Sequence, residues 1–191
     1  VVELIEPRTT RLQLRQWRDS DRAPFAEMNA DPQVMEFFPA RLTRSESDAG
    51  IDRQIAHIQE HGWGFWAVEQ LQDGKFVGFV GIKNVADNLP FAPAVEIGWR
   101  LGVPFWGHGY ATEAAEASLQ VAFDRLGLEQ VVSFTTLTNV RSQAVMERLG
   151  MQRDPATFDH PLVPPGNPLR RHCLYRLAQR TWLDRKETDR Q

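Results

Sequence analysis

The sequence predicts an α+β fold, a mixed sheet flanked by helices, on three observations. A strand candidate, Ala94–Leu101, runs through a turn with two glycines, Gly107 and Gly109, straight into an amphipathic helix. A second strand, Gln130–Thr136, is followed by a second helix that starts at Asn139. Ahead of both, Phe65–Glu69 and Lys75–Lys83 flank Asp73-Gly74, a strong hairpin signal.

The remaining elements follow in chain order. Arg11–Trp17 alternates as a first strand, with Leu12 and Leu14 on one side. Asp19, Ser20 and Asp21 offer N-caps for a helix through Asn29, with Pro24 tolerable in its first turn, and Asp31-Pro32 breaks it. Thr43-Arg44-Ser45-Glu46 has the capping-box pattern. Its helix carries Ile51, Ile55 and Ile58 on one stripe and stops near Gly62. Val85–Pro93 is polar and proline-containing, hence a loop before the central strand. The helix after the glycine turn buries Ala115, Leu119, Ala122 and Leu126 and ends at Gly127. The Asn139 helix buries Val145 and Leu149 and ends at Gly150. Gln152–His160 and His172–Leu177 are the last strands, separated by a proline- and glycine-dense loop, Pro161–Pro168. The charged segment Thr181–Gln191 is expected to fray.

With 191 residues, 42% of them hydrophobic, the chain suits one domain over 1–191 with a sizeable core. A net charge of −3 weighs against a general nucleic-acid binder. The single cysteine, Cys173, permits neither an intramolecular disulfide nor a cysteine-based zinc site. No apolar run approaches membrane-spanning length and no signal-peptide pattern is visible, so a cytoplasmic location is expected.

A glycine turn at a helix start lets backbone N–H groups converge on an anion, with the helix dipole adding to the attraction. The turn lacks the lysine-bearing end of a P-loop, and Thr112 occupies the third glycine position of a dinucleotide fingerprint. Trp106-Gly107-His108-Gly109-Tyr110-Ala111 instead resembles the pyrophosphate loop of the GCN5-related N-acetyltransferases (GNAT), with Gly109 and Ala111 matching and Trp106 replacing the usual Gln or Arg. Asn139-Val140-Arg141-Ser142 through Leu149-Gly150-Met151 is similar to the second half of that signature. Together they resemble the branch that acetylates ribosomal-protein N-termini (RimJ/RimL-like).

The resemblance implies a mostly antiparallel central sheet with one splayed strand pair, and acetyl-CoA as co-substrate lying in the splay. Trp99, Arg100 and Leu101 would pair with its pantetheine arm, and the turn from Gly107 to Thr112 would hold the pyrophosphate. Arg100, His108 and Arg141 can reach phosphates, or equally be ordinary exposed charges. Asn139 would orient CoA while capping its helix. Transfer to an amine needs a base, a polarised carbonyl and an acid for the leaving thiolate. Glu96 on the central strand is the candidate base; a solvated or salt-bridged strand carboxylate is the competing reading. The tyrosine many members carry on the last motif helix is replaced by Met146, which cannot donate a proton. Ser142 matches the serine suggested as donor in the ribosomal branch; alternatively it only bonds its own first turn.

Asp159 and His160 are expected to help form the acceptor pocket, with Phe37, Phe38, Trp63 and Trp66 as candidates to line it, although most of the six tryptophans are more safely assigned to core. No regular metal-ligand spacing links the late histidines, so no metal is expected. Cys173, mid-strand and without a nearby base, reads as packing, which favours direct transfer in a ternary complex. The acceptor is a peptide N-terminus or a small-molecule amine. A non-catalytic acyl-CoA sensor is the alternative, and a nucleotide-binding protein using the same turn is a third. Dimers are common among proteins of this kind, so a homodimer is among the states the resemblance allows.

Overall fold

The structure, a computed structural model, describes residues 1–189. Seven strands, β1 (Leu12–Arg15), β2 (Phe65–Gln70), β3 (Phe76–Asn84), β4 (Val95–Leu101), β5 (Gln130–Thr136), β6 (Gln152–Asp159) and β7 (Arg171–Ala178), form one sheet in the order β1-β2-β3-β4-β5-β7-β6. Helices α1 (Arg22–Ala30), α2 (Arg44–His61), α3 (Tyr110–Gln120), α4 (Val140–Arg148) and α5 (Gln179–Thr188) flank it. The mixed, mostly antiparallel sheet expected from the sequence is present.

One junction differs from the rest. β3 and β4 pair without interruption from Gly78↔Leu101 to Asn84↔Val95, and β5 and β7 pair over the whole of β5. Between them, β4 and β5 are parallel and meet only at Glu96↔Val132. Beyond that point the strands part. The Ser133 hydroxyl bridges the start of the opening by donating to the Ile97 carbonyl at 2.9 Å. Backbone groups of β4 past Ile97 therefore face a gap rather than a neighbouring strand.

Most boundaries follow the local chemistry. Leu12 and Leu14 are fully buried, as are Ile51 and Ile58 on α2. Thr43 and Glu46 form the reciprocal capping box, the Thr43 hydroxyl accepting from Glu46 N–H at 3.2 Å and the Glu46 carboxylate from Thr43 N–H at 2.7 Å. At α1 the expected side-chain cap is absent. Asp21 instead accepts both Arg15 Nη1 and Nη2, at 2.8 and 2.9 Å, so its carboxylate neutralises a buried guanidinium. Helix α3 continues as a π-helical segment, Val121–Arg125, before Gly127.

The C-terminal segment is a correction. Thr181–Thr188 belongs to α5 rather than to a frayed tail, because Trp182 is buried against Phe123, ring centroids 5.7 Å apart. Arg185 also binds the Leu149 carbonyl at 2.6 Å and Glu116 at 2.7 Å. Residues 190–191 lie outside the described part. Among the described residues no helix is long and apolar enough to cross a membrane.

Candidate acetyl-transfer site

The splay between β4 and β5 opens into a cavity of about 870 Å³. Its wall collects residues far apart in sequence: the segment around Val34 and Phe38, the Lys83 end of β3, β4 from Glu96 to Leu101, the glycine turn, β5 around Phe134, and α4. Trp99, Arg100, Leu101, Trp106, Gly107, Gly109, Tyr110, Ala111, Thr112, Asn139, Arg141 and Ser142 all line it, as does Glu96. His108 does not belong to this wall; its exposed ring stacks on Tyr110 at 5.5 Å.

The glycine turn fits an anion. Gly107 and Gly109 both hold φ near +77°, a backbone state that side chains with a Cβ rarely adopt. A Cβ would meet nothing within 4 Å at Gly107, and only the Arg11 guanidinium at 3.5 Å at Gly109. Positive φ, rather than crowding within the protein, is what requires glycine here. Thr43 caps α2 and Asn139 caps α4, but no side chain caps α3. The first-turn N–H groups of α3 have no side-chain cap among the described residues, as at α1 and α5, and here they face the cavity. Cations surround them. The Arg141 guanidinium lies 4.0 Å over the Trp106 ring, whose Nε1 donates to the Leu101 carbonyl at 2.9 Å. Arg148 reaches the Thr112 hydroxyl at 3.4 Å. Arg11, which no sequence pattern singled out, stacks on Tyr110 and pairs with Glu113 at 2.6 Å, tying the α3 start to the residues ahead of β1.

Glu96 is half-buried on the cavity side of β4, opposite Lys83 of β3 in the register. Burial pushes its carboxyl from the ordinary 4.5 up to about 7, and Lys83 pulls it back only in part. That suits a base working near neutral pH.

Ser142 is held by its neighbours. Its hydroxyl oxygen accepts from Asn139 Nδ2 at 3.1 Å and from Trp99 Nε1 at 3.4 Å, while Asn139 Oδ1 accepts from Ser142 N–H at 3.2 Å. Asn139 also donates to the Thr135 hydroxyl at 3.0 Å. With its oxygen accepting in both of these bonds, the Ser142 O–H is not spent on its own helix among the described residues, in contrast to Ser118, which donates to Ala114 O at 2.9 Å. Met146 is buried in the adjoining wall.

The acceptor-side expectations divide. Phe37, Phe38 and His160 line the cavity. Asp159 does not; it pairs with Arg171 at 3.1 Å and Arg170 at 3.7 Å. Trp66 is sealed in the core with its Nε1 on the Ile5 carbonyl, and Trp63 packs against His57 and His61. Their place is taken by Phe65 and Phe79, stacked at 5.1 Å. Burial, reinforced by His172, lowers His160 to about 4, so it is neutral at pH 7. The Arg100 side chain follows neither sequence reading, phosphate contact or exposed charge. It turns instead to Asn29 of α1, donating from Nη1 to Oδ1 at 2.9 Å. Cys173 is fully buried and burial raises its thiol pKa, which leaves it inert.

Comparison with known proteins agrees with this architecture. The acetyltransferase (GNAT) domain family matches residues 11–152, well over half of the chain. FsC-acetyl coenzyme A-N(2)-transacetylase of Aspergillus fumigatus is 28% identical over 188 residues, covering 92% of this chain and 77% of that protein. An acetyltransferase (GNAT family) from Bacillus anthracis superimposes with a TM-score of 0.77 at 22% identity, over 92% of this chain and 99% of that one. Ribosomal-protein-S5-alanine acetyltransferase from Vibrio fischeri gives 0.71 at 19%, over 93% and 98%, a likeness of fold alone. On the family match, carried over β1 through the start of β6, the chain belongs to the GNAT acetyltransferases.

Proposed function

We propose that the protein is an N-acetyltransferase that moves acetyl from acetyl-CoA, the co-substrate of its family, to a primary amine within a ternary complex. One observation carries this reading. The single β4–β5 pairing at Glu96 opens the sheet beside a carboxyl tuned to about 7, with Ser142 in the same wall.

Glu96, directly or through one water, takes a proton from the acceptor ammonium. The freed nitrogen lone pair attacks the thioester carbonyl carbon, forming the C–N bond as the C–S bond breaks. Ser142 supplies a proton to the departing sulfur and is reprotonated, through water, by the second proton that the nitrogen sheds once it is bonded to the acetyl carbon, while Glu96 releases its proton to solvent. The turn from Gly107 to Thr112 holds the pyrophosphate, aided by Arg141. Asn139 fixes the Ser142 hydroxyl. An acceptor in the ribosomal-N-terminus class rests on the motif resemblance; a small-molecule amine is the other acceptor class, and the likeness to FsC-acetyl coenzyme A-N(2)-transacetylase supports transfer to nitrogen.

Thiol release from acetyl-CoA over a panel of amines and N-terminal peptides, beside calorimetric titration of acetyl-CoA, tests the proposal. Release with one amine class is expected. Absence of acetyl-CoA binding would overturn it.

A further inference from the structure

Glu96, Gly98 and Arg100 occupy alternate positions of β4, and the β3–β4 register is unbroken along this stretch, so the three share one face. Trp99 faces the other way, toward Ser142 of α4. On the Glu96 face the groups follow in sequence: a base, an apolar floor and a cation. The floor is Phe65, whose ring would lie 3.0 Å from a Cβ at Gly98. The cation is the Arg100 guanidinium.

Arg100 is built in, yet incompletely matched. Asn29 receives its Nη1, and Asn29 is itself fixed by donating to Ser47 Oγ at 2.9 Å, with both residues fully buried. Phe38 and Phe79 cover the guanidinium at 4.3 and 5.3 Å. Its Nε is sealed from solvent and has no hydrogen-bond partner among the described residues, and Arg100 forms no ion pair among them. Arg15 shows how this fold treats a buried arginine that is only structural: Asp21 binds two of its nitrogens and Glu69 a third, at 2.7 Å. A buried charge left without a counter-charge is costly. Arg100 retains its charge at neutral pH, since burial lowers it only to about 10.

We infer that Arg100 is a specificity-determining residue that binds a carboxylate on the acceptor, so that the substrate is an amino carboxylate whose amine reaches Glu96. This rests on the transferase reading above. Nη2, the guanidinium nitrogen that is neither bonded to Asn29 nor sealed, can donate a charge-assisted bond to a carboxylate, and one cation against aromatic rings balances one negative charge rather than a phosphate dianion. Residues four apart on a strand stand about 13 Å apart at their Cα atoms, and both long side chains can lean inward. The acceptor thus presents its amine and carboxylate at opposite ends of a body lying on Phe65.

The test compares α-, β-, γ- and longer ω-amino acids with their matching carboxamides, by thiol release from acetyl-CoA on the wild-type protein. The acids are expected to exceed their amides by about 10- to 100-fold in kcat/KM for the matching length, as a charge-assisted bond predicts. Arg100→Gln should bring that ratio near one through the acceptor KM, and Arg100→Lys should restore part of it, while calorimetry reports acetyl-CoA binding separately. Equal use of acids and amides by the wild type would overturn the inference and leave the transferase reading intact. Acetyl-CoA binding without release from either series would overturn the inference while keeping the cofactor site. No acetyl-CoA binding would overturn the transferase reading itself.

Discussion

Lys83 on β3 is the direct cross-strand partner of Glu96 on β4, yet the two do not close into an ion pair among the described residues. Each is pulled by burial in the direction that opposes its charge, Glu96 upward and Lys83 downward, and each partly relieves the other. The result is a carboxyl near 7 rather than a locked carboxylate. A tight salt bridge would have removed its basicity.

Replacing the proposed base while keeping its shape should separate chemistry from binding. Glu96→Gln is expected to lower kcat by about 10² to 10⁴. The acetyl-CoA Kd should stay within about threefold, because Glu96 lies outside the Gly107–Thr112 turn proposed to hold the pyrophosphate. Steady-state kinetics with calorimetry on the same preparation would decide; unchanged turnover removes Glu96 from the mechanism.

The pH profile carries the same information. With Glu96 as base, kcat/KM should climb with pH through about 7 and then level off. Lys83→Met removes the stabilising charge and should move that limb upward by roughly half a unit to one unit. Stability changes with the opposite sign. The folded state holds this proton more tightly than the unfolded chain. Its contribution is therefore full below 4.5 and is lost as pH rises through about 7. Glu96→Gln should accordingly gain melting temperature over wild type at pH 8 and little at pH 4.

Ser142→Ala should reduce kcat by about ten- to a hundredfold if its O–H protonates the sulfur. The deficit should shrink with a thioester whose thiol is more acidic, since such a leaving group needs less help. A uniform deficit for all thioesters would point instead to lost support for Asn139, which bonds the same hydroxyl.

Where a local pattern decides the outcome, the sequence was readable. Asp73-Gly74 turns with Gly74 at φ +72°, Thr43 and Glu46 cap each other, and Asn139 caps α4. The glycine turn and Glu96 reached the cavity together because strand, turn and helix are contiguous. Phe65 and Trp66 show the limit. Alternation puts the two neighbours on opposite faces, but only tertiary packing decides that Phe65 meets the cavity and Trp66 the core. Arg100 shows the same limit: sequence left a phosphate contact and an exposed charge open, while its strand face sends it to Asn29, seventy-one residues away. Trp182 was hidden by the charged residues around it, since one buried aromatic can dock a helix that is otherwise polar.

Gly109→Ala tests the anion turn. A Cβ at positive φ costs roughly 1–2 kcal/mol or forces the turn to reopen. Either way the N–H groups at the α3 start lose their aim. Acetyl-CoA affinity should fall about tenfold or more, with a modest drop in melting temperature. Gly127→Ala is the matched control, because Gly127 also holds positive φ, at +63°, with nothing within 4 Å of a Cβ. It should show a similar loss of stability with unaltered affinity. Equal affinities in the two variants would separate the turn from acetyl-CoA binding.

Acid should weaken the fold through His57. Its Nδ1 meets the Trp63 carbonyl at 3.0 Å and its Nε2 accepts Asn84 N–H at 3.4 Å, which requires the neutral ring with its proton on Nδ1. Burial, then His61 and Lys83, lower it to about 4 against a weaker pull from the Trp63 carbonyl and Glu60. The folded value lies below the ordinary 6.5, so the contribution is full above 6.5 and is lost as pH falls toward 4. Protonating Nε2 would also aim an N–H at the Asn84 N–H. Urea unfolding at pH 7 and at pH 4.5 should therefore show a smaller pH-dependent loss for His57→Gln than for wild type, because glutamine does not titrate. His160, also lowered to about 4 and packed against His172, leaves a residual loss in that variant, which the double substitution with His160→Gln should reduce further. An unchanged pH dependence in both variants would assign the acid sensitivity to the carboxylates instead, among them Glu113, whose bonds to Thr9 and Arg11 hold it below the usual carboxylate range.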